Sequence, residues 1–162
     1  MSADRGRAEV YSAEAAAFDG TDLETLVPFE TIAAAVEAVV TGEWWPGRPV
    51  RVQAARGDAA SSSARSVEGA ATVLRFAAGQ MTIATAAHEL AHALAGSAAG
   101  HSPVFVAAYL DVVAVITNLD SRDRRHQLHV DQLSQAFGAV GLVAGRRRWP
   151  APPESIGTAI VL

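Results

Sequence analysis

The stretch TIATAAHELAHAL, residues 82–94, decides both the fold class and the chemistry expected of this chain. On a helical wheel at about 100° per residue, His88 and His92 fall on one face and Glu89 lies beside them. The opposite face of the same wheel carries only apolar side chains. The segment therefore predicts an amphipathic helix with one face for the core and another bearing two imidazoles and a carboxylate.

The spacing of these three side chains suits a zinc ion. Two imidazole nitrogens four residues apart on a helix can reach one ion at about 2.0–2.1 Å. A glutamate next to the first histidine projects beside that ion and can accept a proton from the water that zinc activates. We expect His88 and His92 to be zinc ligands and Glu89 to be the general base.

Catalytic zinc usually has three protein ligands, so a third must come from outside this helix. His101 is favoured because residues 96–100, which begin and end with glycine, can reverse the chain just before a new helix begins at Ser102-Pro103. The other candidates are His126, His129, Asp111, Asp120 and Glu154. We expect His126 and His129 to lie on a solvated helix face and Asp111 to be a surface carboxylate, with a role in orienting a ligand imidazole as the alternative.

Composition restricts the function further. The chain has 162 residues, enough for one domain with a core of its own, which we take as residues 1–162 with a tail from about residue 145. It has no cysteine, which excludes disulfides, thiolate catalysis and cysteine-based zinc sites. Its formal net charge of −4 argues against a general nucleic-acid binder. No segment predicts a signal peptide or a membrane span, so we expect a cytoplasmic protein with no membrane partner.

Working outward from residues 82–94, the periodicity predicts strands and further helices on both sides of the motif helix. Strands are expected at residues 49–54 and 71–77, and a Gly-, Ser- and Ala-rich loop at residues 57–66. Further helices are expected at residues 8–18, 28–41, 103–118 and 122–140.

The sequence resembles the SprT-like zinc metallopeptidases, a minigluzincin-like family of zincins. The resemblance is carried by His88-Glu89-Leu90-Ala91-His92 followed by Gly100-His101-Ser102-Pro103-Val104-Phe105, and it extends to residues 4–11 and the Trp44-Trp45 pair. It is greatest to small metallohydrolases of actinobacteria and their phages. It implies a compact α+β, zincin-like fold in which a small sheet packs on the motif helix. It also implies His88, His92 and His101 as zinc ligands, Glu89 as general base, a peptide or protein substrate, and an edge strand at residues 73–76 with which an extended peptide pairs.

Two features depart from known relatives. Larger SprT-like proteins often add a zinc ribbon or DNA-binding segment, whereas this chain has no cysteine for such a ribbon. The interval from His92 to His101 is also longer than the metzincin spacing. Two alternatives remain open: a non-catalytic binding module stabilised by zinc, and a DNA-associated protease that uses the arginines at residues 122, 124, 125 and 146–148.

Overall fold

Five helices and one three-stranded sheet make up the fold, which is α+β as the sequence predicts. The computed structural model describes residues 4–67, 71–119 and 125–153. The helices are α1 (Arg7–Phe18), α2 (Phe29–Val40), α3 (Ile83–Ala95), α4 (Pro103–Ile116) and α5 (Arg125–Ala139). The strands are β1 (Val50–Ala54), β2 (Ser63–Ser66) and β3 (Thr72–Phe76).

A threonine cap and a glycine set the two ends of the motif helix α3. The Thr82 side chain caps its start by accepting the backbone N–H of Thr85 at 3.1 Å. Gly96 ends it with a φ of 94°, a left-handed value that glycine adopts without a steric penalty. Pro103 occupies the first turn of α4, where its missing N–H leaves no bond unmade.

The sheet corrects two predictions. Residues 63–66 form strand β2 within the segment expected to be a loop. The strand order is β1-β3-β2, with β3 parallel to β1 and antiparallel to β2, so β3 is the central strand and not an edge. The reason is the hairpin that joins β2 to β3, which pairs one side of β3 while β1 pairs the other. The edge strand nearest to α3 is β2.

The core lies between the sheet and the helices. Helix α4 packs along α3, and α5 packs against both α1 and α4. Phe18, Leu74, Leu90, Tyr109 and Leu133, which come from five different elements, are all fully buried. These contacts fix α3 on its apolar face and turn its histidine face toward α1 and the start of α4. No helix in the described ranges has the length and apolarity needed to cross a bilayer.

Candidate metal centre

Three histidines converge at the end of α3 and the start of α4. His88 and His92 lie on one face of α3, and the tight turn after Gly96 returns the chain so that His101 joins them. One ring nitrogen from each residue lies within 4.8 Å of the other two. The Nε2 atoms of His88 and His101 are 3.3 Å apart. These three residues, all of them expected from the sequence, can therefore hold a metal ion.

The donor set fits zinc in two respects. Three neutral imidazoles are a common ligand set of catalytic zinc sites, which keep a fourth position for water. Two nitrogens bound tetrahedrally at about 2.0–2.1 Å would be about 3.3–3.4 Å apart, and the Nε2 atoms of His88 and His101 have that separation. The site thus has both the chemistry and the spacing that a tetrahedral ion requires.

A carboxylate from α1 fixes the imidazole of His88. The Nδ1 atom of His88 donates to Glu14 Oε1 at 2.7 Å, and the hydroxyl of buried Tyr109 donates to the same oxygen. Burial and then the Glu14 carboxylate raise the pKa of Tyr109 well above its ordinary value, so the phenol keeps its proton. Burial lowers the pKa of His88, but the hydrogen bond to Glu14 and the negative charges of Glu14 and Glu89 together outweigh it, so the net shift is upward.

A second carboxylate fixes His101. Asp4 Oδ2 accepts from His101 Nδ1 at 2.5 Å, while Asp4 Oδ1 accepts from the backbone N–H of His101 at 3.0 Å. Glycine is required on both sides of this contact. A Cβ on Gly6 would lie 2.7 Å from the His101 carbonyl oxygen, and one on Gly100 would lie 2.8 Å from Asp4 Oδ1. Both glycines also have positive φ values, 93° and 53°.

His92 is held differently from the other two ligands. Its imidazole makes no hydrogen bond to any described residue and packs on Phe105, with ring centroids 4.4 Å apart. Burial, together with the neighbouring His88 and His101, lowers the pKa of His92 to about 3. The ring is therefore neutral at physiological pH, which is the form that binds a metal.

Glu89 faces a polar cavity of about 180 Å³ beside His88. It is 6% exposed and makes no hydrogen bond within the described residues. Burial raises its pKa to about 7, with His88 opposing the shift and Glu14 adding to it. Tyr11 lines the same cavity, and its ring stacks on that of His88 with 5.4 Å between centroids. A carboxyl with such a pKa exchanges protons readily near neutral pH.

The remaining candidate ligands lie elsewhere, and two expectations about them are wrong. Asp111 is 5% exposed and not a surface carboxylate, because Arg147 donates to it through Nε at 2.6 Å and Nη2 at 2.9 Å, and Trp149 Nε1 donates at 2.8 Å. His129 is half-buried with its ring 6.3 Å from that of Phe18. Residues 120 and 154 and the side chain of residue 126, also proposed as ligands, lie outside the described part of the chain.

Sequence reasoning missed four side chains that surround the metal ligands: Asp4, Tyr11, Glu14 and Tyr109. Residues 4–11 entered only as part of a family resemblance, and Tyr109 only as part of an apolar helix face. Glu14 is separated from His88 by 74 positions and Asp4 from His101 by 97, so no local spacing connects them. An acidic side chain on an otherwise alanine-rich helix was the one available signal.

Comparisons with known proteins leave the site to be interpreted from its own geometry. The chain shows no significant match to a protein-family model, a curated protein or a solved structure.

Proposed function

We propose that this protein is a zinc-dependent hydrolase, most specifically a metallopeptidase of SprT-like, zincin type. The observation that carries the proposal is the placement of Glu89 beside three converging imidazoles. His88, His92 and His101 would hold the ion, and Glu89, adjacent to His88 in the chain, makes no hydrogen bond in the described structure and faces a cavity. Metal-assisted hydrolysis uses such an arrangement, in which some side chains bind the ion and another acts as the base.

A zinc ion held by His88, His92 and His101 would supply a Lewis acid, which lowers the pKa of a coordinated water to about 7. The chain itself supplies the proton transfer. Glu89 accepts a proton from the attacking water and returns it to the leaving amine when the peptide bond breaks. The role requires a carboxyl that gains and loses a proton in each cycle, and Glu89, which faces the cavity beside His88, is placed to do so.

Two cavities beside the histidines support a peptide substrate that lies between α3 and the edge strand β2. They lie one on each side of the histidines. The first is lined by Ser61 and Ser62 together with Glu89, and the second by Ala64 and Ser66 together with His92. Segment 61–66 thus borders both cavities. This arrangement supports an extended substrate that lies along β2 with its scissile bond near the metal.

Alternation along β2 supports main-chain pairing at this edge. Val67 donates its N–H to Ala71 at 2.8 Å, so it directs its backbone groups toward β3 and its neighbour Ser66 directs them away. By the same alternation, Arg65 faces β3 and Ala64 faces outward. The outward-facing groups of Ala64 and Ser66 are free to pair with a substrate backbone, as the SprT-like resemblance leads us to expect, but on β2 and not on residues 73–76.

The test is a comparison of Glu89→Gln with the wild-type protein. Zinc content is measured by elemental analysis after metal supplementation, and hydrolysis is measured on unfolded casein and on a mixed peptide library by mass spectrometry. We expect about one zinc per chain in both proteins, and a loss of at least about 100-fold in hydrolysis in the variant because proton transfer is removed. Thr85→Ser, a conservative change at the same cavity, is the matched control.

Other outcomes separate the alternatives. Zinc bound at one per chain, with no hydrolysis by the wild-type protein and full loss of structure on chelation, would favour the non-catalytic zinc module. Zinc content well below one per chain would reject the metal centre. Equal hydrolysis by Glu89→Gln and wild type would reject the role of Glu89.

A further inference from the structure

Two carboxylates near the start of the described chain reach the metal ligands from far away in sequence. We propose that Asp4 and Glu14 are positioning residues of the metal centre, and that Asp4 couples metal binding to the docking of residues 4–6. The inference rests on the metal site of the proposed function, but it does not require the site to be hydrolytic.

The first step concerns the tautomer of each ring. An ionised carboxylate only accepts hydrogen bonds, so Nδ1 of His88 must donate to Glu14 and Nδ1 of His101 must donate to Asp4. A neutral imidazole protonated at Nδ1 has its lone pair at Nε2. The two Nε2 atoms face each other at 3.3 Å, an arrangement of lone pairs that a cation between them stabilises. The carboxylates thus select the tautomers that can bind the ion.

The second step concerns orientation. Asp4 uses both carboxylate oxygens on one residue, with Oδ1 on the backbone N–H of His101 and Oδ2 on its ring. This pair of bonds fixes the imidazole relative to its own peptide. Glu14 obtains similar rigidity from Tyr109, whose hydroxyl donates to the oxygen that accepts from His88. By contrast, His92 has only ring contacts, so its orientation depends on Phe105.

The third step distinguishes Asp4 from Glu14. Glu14 lies within α1 and its side chain is 13% exposed, whereas Asp4 precedes α1 and its side chain is 36% exposed. Residues 4–6 can therefore detach while α1 stays packed. A cation on Nε2 makes the Nδ1–H of His101 a better donor and strengthens its bond to Asp4. By linkage, metal binding and the docking of Asp4 on His101 strengthen each other equally. The factor by which docked Asp4 raises the metal affinity is the factor by which bound metal raises the equilibrium constant for docking.

The decisive variant is Asp4→Asn, which keeps the size and shape of the side chain. An amide that accepts the His101 N–H with its oxygen presents an NH2 group to Nδ1. That group favours the opposite tautomer, in which Nε2 carries the proton and cannot bind a metal. If the amide turns over, it loses the bond to the backbone instead. If Asp4 were only structural, Asp4→Asn would lower zinc affinity less than Asp4→Ala does. If Asp4 selects the tautomer of His101, Asp4→Asn lowers zinc affinity at least as much.

The experiment measures zinc affinity by competition with a chromophoric chelator, and it follows trypsin cleavage after Arg5 with and without zinc. We expect Asp4→Asn to lose about 10- to 100-fold in zinc affinity, no less than Asp4→Ala, and Glu14→Gln to lose a similar factor. Zinc should slow cleavage after Arg5 in the wild-type protein and lose this effect in both Asp4 variants. The matched controls are Asp58→Asn in an exposed loop and Glu9→Gln on the exposed side of α1.

Circular dichroism of the metal-free proteins verifies that each variant is folded. Asp4→Asn with wild-type zinc affinity, or with clearly higher affinity than Asp4→Ala, would overturn the proposal, and so would zinc protection of the Arg5 site that persists in both Asp4 variants. If the wild-type protein binds no zinc, the metal centre itself fails. If it binds zinc without hydrolysing peptides, only the proposed activity fails, and the affinities still decide the roles of Asp4 and Glu14.

Discussion

The Nε2 atoms of His88 and His101 lie 3.3 Å apart although 13 positions separate the two residues in the chain. Helix α3 and the start of α4 thus present ring nitrogens to the same point in space. His92, on the same face of α3 as His88, supplies the third nitrogen. This convergence leads to the first of four predictions.

Removing the ligand from the start of α4 should disable the metal site. We expect His101→Gln to lower zinc affinity by at least about 100-fold, since two imidazoles on one helix are too few for a stable site. Competition with a chelator measures the loss. His129→Gln changes a histidine that lies against Phe18 and not among the three ligands, so it should keep wild-type affinity. Equal losses in the two variants would contradict the ligand assignment.

The contribution of His92 to the stability of the metal-free protein should fall as pH falls. Its pKa is about 3 in the folded protein against 6.5 unfolded, so its contribution is complete above pH 6.5 and is lost progressively as pH falls toward 3. Between pH 7.0 and 5.5 the free energy of unfolding should fall by about 1 kcal/mol from this group. Urea titrations of wild type and His92→Asn measure it by difference.

That difference is needed because His88 and Glu89 act in the opposite direction. The raised pKa of Glu89, about 7 against 4.5 unfolded, makes the folded protein less stable as pH rises between these values. The raised pKa of His88 contributes stability below pH 6.5 that is lost as pH rises. Subtracting the His92→Asn curve isolates the His92 contribution while leaving His88 in both proteins. Parallel pH profiles for the two proteins would refute the assignment.

Arg147 should stabilise the fold far more than its two arginine neighbours. Asp111 is buried and accepts two hydrogen bonds from Arg147, so Arg147→Ala leaves a buried carboxylate with only Trp149 as partner. We expect a loss of about 1–3 kcal/mol in the free energy of unfolding, which is less than for a fully buried pair because Arg147 is partly exposed and solvent screens its charge. Arg148→Ala is the control and should cost less than about 0.5 kcal/mol; similar losses would argue against the pairing.

Proline substitutions on β2 should have different effects at a residue whose N–H faces outward and at a residue whose N–H faces β3. Ala64→Pro removes an outward N–H and leaves the ladder to β3 intact, which an edge strand tolerates. We expect it to raise KM for an extended peptide by about 10-fold, with zinc content and melting temperature close to wild type. Arg65→Pro removes an N–H that faces β3 and should lower the melting temperature instead. Unchanged KM in a folded Ala64→Pro protein would exclude main-chain pairing at this edge.

The features that depend only on the spacing of neighbouring residues could be predicted from the sequence. The i, i+4 histidines and the extent of the motif helix, expected at residues 82–94, are properties of one local segment, and α3 (Ile83–Ala95) follows them closely. The turn to His101 was predictable for the same reason, because glycines at both of its ends and Pro103 mark it in the sequence. Strand β2 was not predicted, because its serines, alanine and arginine are typical of a loop. Only pairing with β3 makes this segment a strand.

Tertiary partners could not be predicted in this way. Asp111 sits off the apolar stripe of α4, which suggests exposure, yet Arg147 and Trp149 from the tail cover it. Glu14 reaches His88 only because α1 packs beside the motif helix. In both cases the environment of a carboxylate depends on a distant segment, and periodicity within its own helix carries no information about that segment.

The bond between Asp4 and His101 also has a consequence for the order of events during synthesis. Ninety-seven positions separate the two residues, so at about 5–20 residues per second Asp4 waits roughly 5–20 s on the ribosome before its partner is made. Tyr109, which holds Glu14, is made later still. Asp4 is thus made well before the segment that fixes it, and a nascent chain that meets zinc before His101 is made has only His88 and His92 of the three site histidines.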